Sequence, residues 1–341
     1  MNQQVLESVA HSLVPKAKGI LAADESSGTI KKRFKSIDLE STEETRRSYR
    51  EILFTTLGME NFISGVILFD ETLRQKAQEG TPFPDLLSKK GVIPGIKVDK
   101  GTVDLASFPG EKVTEGLDGL HDRLVEYRGL GARFAKWRAV IQIAPSIPTR
   151  FCMDANAHAL ARYAAICQEV GLVPIVEPEV LMDGDHDLER CGEVTELTLK
   201  SVFSALQEHR VMLEGTLLKP NMVLSGKSCP KQASVQEVAE ATVRCLRRTV
   251  PAAVPGIVFL SGGQSPEQAT EHLNAMNAIG VFPWELSFSY GRALQEPSLK
   301  AWQGKTSNVP IAQKFFFQRA KCNSAARSGK YSRQMEREAM Q

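Results

Sequence analysis

The sequence predicts an α/β protein of one domain, a (β/α)8 barrel of the TIM type, on three observations. Eight short apolar or β-branched runs recur, at 19–23, 63–69, 92–98, 132–137, 172–176, 214–218, 256–260 and 285–288. Stretches with helical periodicity lie between most of them, and strands alternating with helices argue for parallel βαβ units. Most of the runs also end on a charged or hydroxyl-bearing residue, and a barrel builds its site at the C-terminal ends of its strands. A chain of 341 residues fits one such barrel, since these folds often exceed ~200 residues as a single domain.

The first run leads into Ala22-Ala23-Asp24-Glu25-Ser26. An open doubly wound sheet would more often place a Gly-x-Gly-x-x-Gly turn there, so the barrel is preferred. Helical segments are expected around 155–168, 193–206, 235–246 and 266–276. In the first of these, Ala157, Leu160, Ala161, Ala164 and Ala165 share a face. Trp137 alternates with Lys136 and Arg138 and should face the helix layer. Arg244, Arg247 and Arg248 sit at a helix end, where they complement the macrodipole. A last helix is expected near 313–320. From 321 the chain turns polar, with Lys321, Arg327, Lys330, Arg333 and Arg337. The barrel is therefore assigned to 1–320 and a flexible C-terminal tail to 321–341.

Composition excludes little but frames the rest. Hydrophobic residues make up 42% and charged residues 24%, with a net charge of +2, which gives no global reason to expect nucleic acid or a membrane surface as a partner. No apolar run approaches the ~20 residues of a membrane span. Residues 1–18 lack the apolar region of a secretory signal. The six cysteines form no Cys-x-x-Cys pair, so reduced thiols in a cytoplasmic protein are expected. Asp183-Gly184-Asp185-His186-Asp187 does not have the spacing of a calcium loop. It reads as structural, and no metal or cofactor is expected.

The strand ends carry the chemistry. Asp24 ends the first run, Lys97 lies near the end of the third, and Lys136 and Arg138 end the fourth. Glu177 and Glu179 end the fifth, Lys219 the sixth, Ser261 the seventh and Ser289 the eighth, with Arg292 just beyond. Any one such charge is most simply a solvated loop start; the whole set at one barrel mouth is not. Lys97, Lys136, Lys219, Arg138 and Arg292 would draw in an anion, phosphate being the common one. Crowded, buried ammonium groups are also expected to lower one another's pKa from about 10.4. A catalytic lysine needs a value near 7–8, at about which a useful fraction is neutral amine. A neutral amine adds to a carbonyl and gives an imine that withdraws electrons from the adjacent carbon. Forming it expels water, so the nearby carboxylates would move protons. The cluster points to lysine-dependent carbon–carbon bond chemistry without choosing among the three lysines.

Phosphate sites are legible separately. Ser261-Gly262-Gly263 follows the seventh run and can present backbone N–H groups to an oxyanion. A helix then starts with Ser265 as N-cap, Pro266 at its first position and Gln268 completing a capping box. Ser289, Gly291 and Arg292 follow the eighth run. Loops after strands seven and eight are a recurrent barrel phosphate site.

Eight stretches in order carry a family resemblance. They are GILAADES at 19–26, GIKVDKG at 95–101, FAKWR at 134–138, PIVEPE at 174–179, DGDHD at 183–187, EGTLLKPNM at 214–222, FLSGGQS at 259–265 and FSYGRAL at 288–294. This sequence resembles the class I fructose-bisphosphate aldolases over nearly the whole chain up to about residue 330. The resemblance implies reversible cleavage of fructose 1,6-bisphosphate to dihydroxyacetone phosphate and glyceraldehyde 3-phosphate, without a metal, by a homotetramer. It selects Lys219 as the Schiff-base lysine. It makes Glu177 the acid/base for carbinolamine formation and dehydration, with Glu179 beside it. Asp24 would handle the C4 hydroxyl proton and Lys136 would support the proton transfers. Lys97, Arg138 and Arg33 would serve the C6-phosphate end. Ser261, Gly262, Ser289, Gly291 and Arg292 would hold the C1-phosphate.

One feature departs from the pattern. Vertebrate members end in a tyrosine that reaches the site, whereas this sequence ends in Gln341 and its last tyrosine is Tyr331. Other readings are a transaldolase-like enzyme, a metal-dependent aldolase, or a scaffold role through the basic surface or tail. Substrate profile, chelator sensitivity and the phenotype of a Lys219→Ala variant separate them.

Overall fold

The computed structural model describes residues 2–337, and the chain end at Gln341 lies outside them. Eight parallel strands close into a barrel. They are β1 (Gly19–Ala23), β2 (Ile63–Leu68), β3 (Ile93–Lys97), β4 (Phe134–Ile141), β5 (Val173–Val180), β6 (Leu217–Leu218), β7 (Gly256–Phe259) and β8 (Glu285–Tyr290). Neighbours in sequence are neighbours in the barrel, and β8 pairs with β1 to close it. An antiparallel pair, Thr102–Asp104 with Lys112–Thr114, lies in the connection between β3 and β4.

Alternation along the strands divides the barrel into layers. Ile20, Ala22, Ile67, Phe134, Val173, Ile175, Leu217 and Val258 form one apolar cluster with Leu6, Ala10, Leu13 and Val14. The N-terminal helix Gln3–Leu13 thus supplies apolar side chains to the lower interior. Glycines make room for this layer. A Cβ at Gly65 would lie 2.7 Å from Leu13 Cδ2, and one at Gly95 would run into the Phe134 ring. Two residues further along the same inward-facing series stand Asp24, Lys136, Glu177 and Lys219. The apolar layer below and the charged layer above are one periodicity read at two heights.

The outward-facing residues pack under the helices. Trp137 is buried there, as predicted, stacked on Tyr163 of the helix Arg150–Val170. The predicted helices are present and longer than expected, as Arg150–Val170, Leu188–Glu208, Val235–Thr249 and Pro266–Ala278. At the end of Val235–Thr249, Arg248 pairs with Glu196 and Arg247 covers the Phe282 ring.

Two boundaries are corrected. Strands β4 and β5 continue four residues past the predicted ends, so Arg138, Glu177 and Glu179 lie within strands. The last helix runs Val309–Ala326, through the predicted boundary at 320. Not all of the polar residues there are solvated. Arg327 is buried and donates to the carbonyls of Val14, Pro15 and Lys18 and to Glu285. Arg319 is buried against Glu336, whose Oε1 also accepts from the Tyr331 hydroxyl at 2.8 Å.

Candidate active site

Every strand but β2 sends a polar residue to one mouth, in most cases because that residue continues an inward-facing series. The resulting cleft, about 480 Å³, is lined by every predicted site residue: Asp24, Arg33, Lys97, Lys136, Arg138, Glu177, Glu179, Lys219, Ser261, Gly262, Ser289, Gly291 and Arg292. Glu25, Ser26, Thr29 and Lys32 line it as well and were not predicted. Ser26 caps the helix Ser27–Lys35 by accepting from Thr29 N, which sets Lys32 and Arg33 at the rim.

The floor is a chain of alternating charges. Asp24 Oδ2 lies 2.7 Å from Lys136 Nζ. Lys136 Nζ is 3.1 Å from Glu177 Oε2, and Glu177 Oε1 is 3.2 Å from Lys219 Nζ. Glu177 Oε2 makes no hydrogen bond among the described residues despite that proximity. Beside this chain, Arg138 pairs with Glu179 through Nε. Lys136, Glu177 and Lys219 are each 3–4% exposed, so these charges interact with little screening.

The three lysines stand differently. Burial acts most strongly on Lys136 and favours the neutral amine, but Asp24, Glu177 and Asp99 outweigh it and hold the ammonium well above its ordinary range. This corrects the expectation that crowding lowers the pKa of all the site lysines, because the carboxylates beside Lys136 were left out of that reckoning. Burial pushes Asp24 and Glu177 up, and the surrounding cations reverse it. For Asp24 these are chiefly Lys136 and Lys219, and Glu177 adds Arg138 to the same two. Both carboxyls are held below their usual range. Lys97 donates to Asp99 twice, to Oδ1 at 2.6 Å and to the backbone oxygen at 2.8 Å. Among the described residues, Lys219 Nζ forms an ion pair only with Glu177. Structure therefore disfavours Lys136 as the attacking amine, a choice the bare sequence left open.

The second half of the cleft is a backbone cradle. Gly262 and Gly263 have φ of 27° and 78°, conformations that favour glycine. The capping box at Ser265 and Gln268 is present, with both bonds at 3.1 Å. Ser289 Oγ is buried at the cleft and has no hydrogen-bond partner among the described residues. Arg33 Nη2 lies 3.7 Å from where a Gly291 Cβ would stand, so Arg33 approaches the strand-eight half of the cleft. Tyr331 does not line the cleft.

Gln264 braces the cradle from behind. Its Nε2 donates to Ser261 O at 3.1 Å, and His272 Nδ1 lies 2.6 Å from its Oε1. Burial lowers the His272 pKa to about 4, against a weaker opposing pull from Glu271. A depressed folded pKa contributes stability that is complete above the unfolded value of 6.5 and is lost as pH falls through the folded one. Unfolding free energy is therefore expected to decline between about pH 6.5 and pH 4. A His272→Gln variant should lack that part of the decline in denaturant titrations run across the interval.

Among the described residues, no group of three or more His, Cys, Asp or Glu side chains is placed to hold a metal ion. No described helix is long and apolar enough to cross a membrane.

Comparison with known proteins agrees with this geometry. Residues 5–341 match the glycolytic family described as fructose-bisphosphate aldolase class-I. A probable fructose-bisphosphate aldolase class 1 of Xanthomonas campestris is 60% identical over 332 residues, covering 97% of this chain and 99% of the relative. The cytosolic fructose-bisphosphate aldolase 5 of Arabidopsis thaliana is 59% identical, covering 96% and 91%. The structure superposes on a fructose-bisphosphate aldolase of Plasmodium falciparum, solved in complex with TRAP and a small molecule inhibitor. That comparison gives a TM-score of 0.95 at 55% identity and covers 96% of this chain and 95% of the other. With its barrel, its lysine–carboxylate floor and these matches along nearly the full length, the chain belongs to the class I fructose-bisphosphate aldolase family.

Proposed function

We infer that this aldolase cleaves fructose 1,6-bisphosphate reversibly, as a metal-independent lyase, through an imine on Lys219. The observation that carries the reading is the pairing of Lys219 with Glu177 at 3.2 Å, beside a Lys136 that its carboxylates keep charged. Glu177 takes the proton of the Lys219 ammonium, and the neutral amine adds to the C2 carbonyl while a nitrogen proton passes to the alkoxide. Glu177, with Glu179 beside it, then gives its proton to the departing hydroxyl, and water leaves as the iminium forms. The iminium withdraws the electron pair of the C3–C4 bond. Asp24 accepts the C4 hydroxyl proton as that bond breaks, so C4 leaves as the aldehyde of glyceraldehyde 3-phosphate. Protonation of the enamine at C3 and hydrolysis then release dihydroxyacetone phosphate. Lys136 remains an ammonium through these steps and stabilises the carboxylate on either side of it.

Phosphate binding follows from the rim. Ser261, Gly262, Ser289, Gly291 and Arg292 suit the C1-phosphate, and the unpartnered Ser289 hydroxyl is a ready donor. Lys97, Arg138 and Arg33 suit the C6-phosphate. A homotetramer acting in the cytoplasm fits the family, and the cytosolic plant relative supports that location.

The test is borohydride reduction in the presence of dihydroxyacetone phosphate, followed by peptide mapping. One adduct on Lys219 is expected, with cleavage unchanged by a chelator. An adduct on Lys97 or Lys136, or none, overturns the assignment.

A further inference from the structure

We propose that Asp99 is a positioning residue that aims Lys97 at the C6-phosphate; this rests on the reading of Lys97 as a phosphate ligand. An ammonium has three protons and a flexible four-carbon stem. Two protons of Lys97 are taken by Asp99, through its carboxylate at 2.6 Å and its backbone oxygen at 2.8 Å. One proton is left for the cleft, in a direction that Asp99 sets.

The anchor is itself fixed. Asp99 is 8% exposed, its Oδ1 accepts from Gly101 N at 3.2 Å, and its Oδ2 accepts from Arg138 N at 3.3 Å. Asp99 is thus held by the loop after β3 and by β4 at once. The ion pair of Lys227 with Asp183 is different, for its side chains are 48% and 61% exposed.

For the phosphate itself the Asp99 charge is a cost, although that charge also helps hold the Lys136 ammonium. A negative charge beside a phosphate-binding amine weakens the pull on an anion. Its presence favours binding only if ordering the amine outweighs that loss. A free lysine side chain gives up substantial rotamer entropy when a ligand immobilises it, and Asp99 has removed most of that entropy before the substrate arrives.

The experiment compares Asp99→Asn, Lys97→Met and the double variant with the unaltered enzyme. Three quantities are measured: KM and kcat for fructose 1,6-bisphosphate, and the inhibition constant of dihydroxyacetone phosphate, which lacks the C6-phosphate. Asp99→Asn should raise KM about tenfold, with kcat within about threefold and dihydroxyacetone phosphate inhibition within about twofold. In the Lys97→Met background the same substitution should change KM by less than about twofold, because the amine it aims is gone. Equal losses for bisphosphate and dihydroxyacetone phosphate, or an undiminished effect in the Lys97→Met background, would show a general structural role and overturn the proposal. An unchanged or lower KM would overturn it too. If Lys97→Met itself leaves KM unaltered, the assignment of Lys97 fails separately. Should Asp99→Asn not fold, Asp99→Glu displaces the carboxylate by one methylene and is expected to show the same selective loss.

Discussion

Lys219→Met is expected to lower kcat for bisphosphate cleavage by at least about 10⁴-fold and to abolish borohydride trapping. Methionine keeps the unbranched, buried stem, so the barrel should fold as before. Glu177 loses Lys219 from its Oε1 but keeps Lys136 3.1 Å from its Oε2, so its charge is still paired. Only the amine is removed. Lys219→Arg makes the complementary test. A guanidinium preserves the positive charge but is never deprotonated at working pH. If Lys219 acted only by attracting the substrate, arginine would restore a large part of the activity. As the nucleophile it cannot, and Lys219→Arg should be as inactive as Lys219→Met while still binding the bisphosphate. Circular dichroism and binding of an unreactive bisphosphate separate loss of chemistry from loss of structure. Substantial cleavage by either variant would remove Lys219 from the mechanism.

How far the sequence foretells this site depends on how local its signals are. Period-2 alternation places Lys136 with Arg138, and Glu177 with Glu179, before any coordinates, because two residues along one strand always share a side. The strand ends were harder. The fifth run seemed to stop at Val176, since a charge followed by Pro178 reads as a loop. In the barrel that charge meets Lys136 and Lys219, and the strand continues to Val180. At the third strand the predicted run reached Val98 and the strand ends at Lys97, so Asp99 fell in the loop beyond it, where a carboxylate reads as solvated. Glu25 had no local signal either. Next to Asp24 it faces the other way, where an isolated carboxylate reads as solvated. Its partners are Arg33, Arg50 and Gln295, and the last lies 270 positions away. Arg327 was misread for the same reason, because the carbonyls it meets belong to residues 14, 15 and 18. Polar residues with distant partners look like surface, and only the closed fold shows them buried.

Glu25→Gln should destabilise the barrel by about 3–5 kcal/mol, the range for leaving a buried charge without its partner. Arg50 Nη2 lies 2.6 Å from Glu25 Oε2, and the two side chains are 3% and 4% exposed. Arg33 takes the other oxygen at 2.6 Å, and Gln295 Nε2, which also donates to Ala22 O, adds a bond at 3.0 Å. Burial raises the Glu25 carboxyl most, yet the two arginines reverse it and leave the pKa below the ordinary value. A glutamine keeps the shape but gives Arg50 no counter-charge, and water does not reach Arg50. A Glu25→Gln/Arg50→Met variant should recover much of the loss, since replacing both partners of a buried pair is often nearly neutral. Denaturant unfolding of the unaltered protein and the two variants checks this through their three midpoints. Activity should divide differently. Arg33 lines the cleft and loses its anchor in both variants, so KM for the bisphosphate should stay raised in the double variant even as stability returns. A single variant as stable as the unaltered protein would mean that Arg50 finds another partner, and Glu25 would then be a local contact of Arg33 instead of the link between the cleft rim and the helix Glu43–Thr55 that carries Arg50.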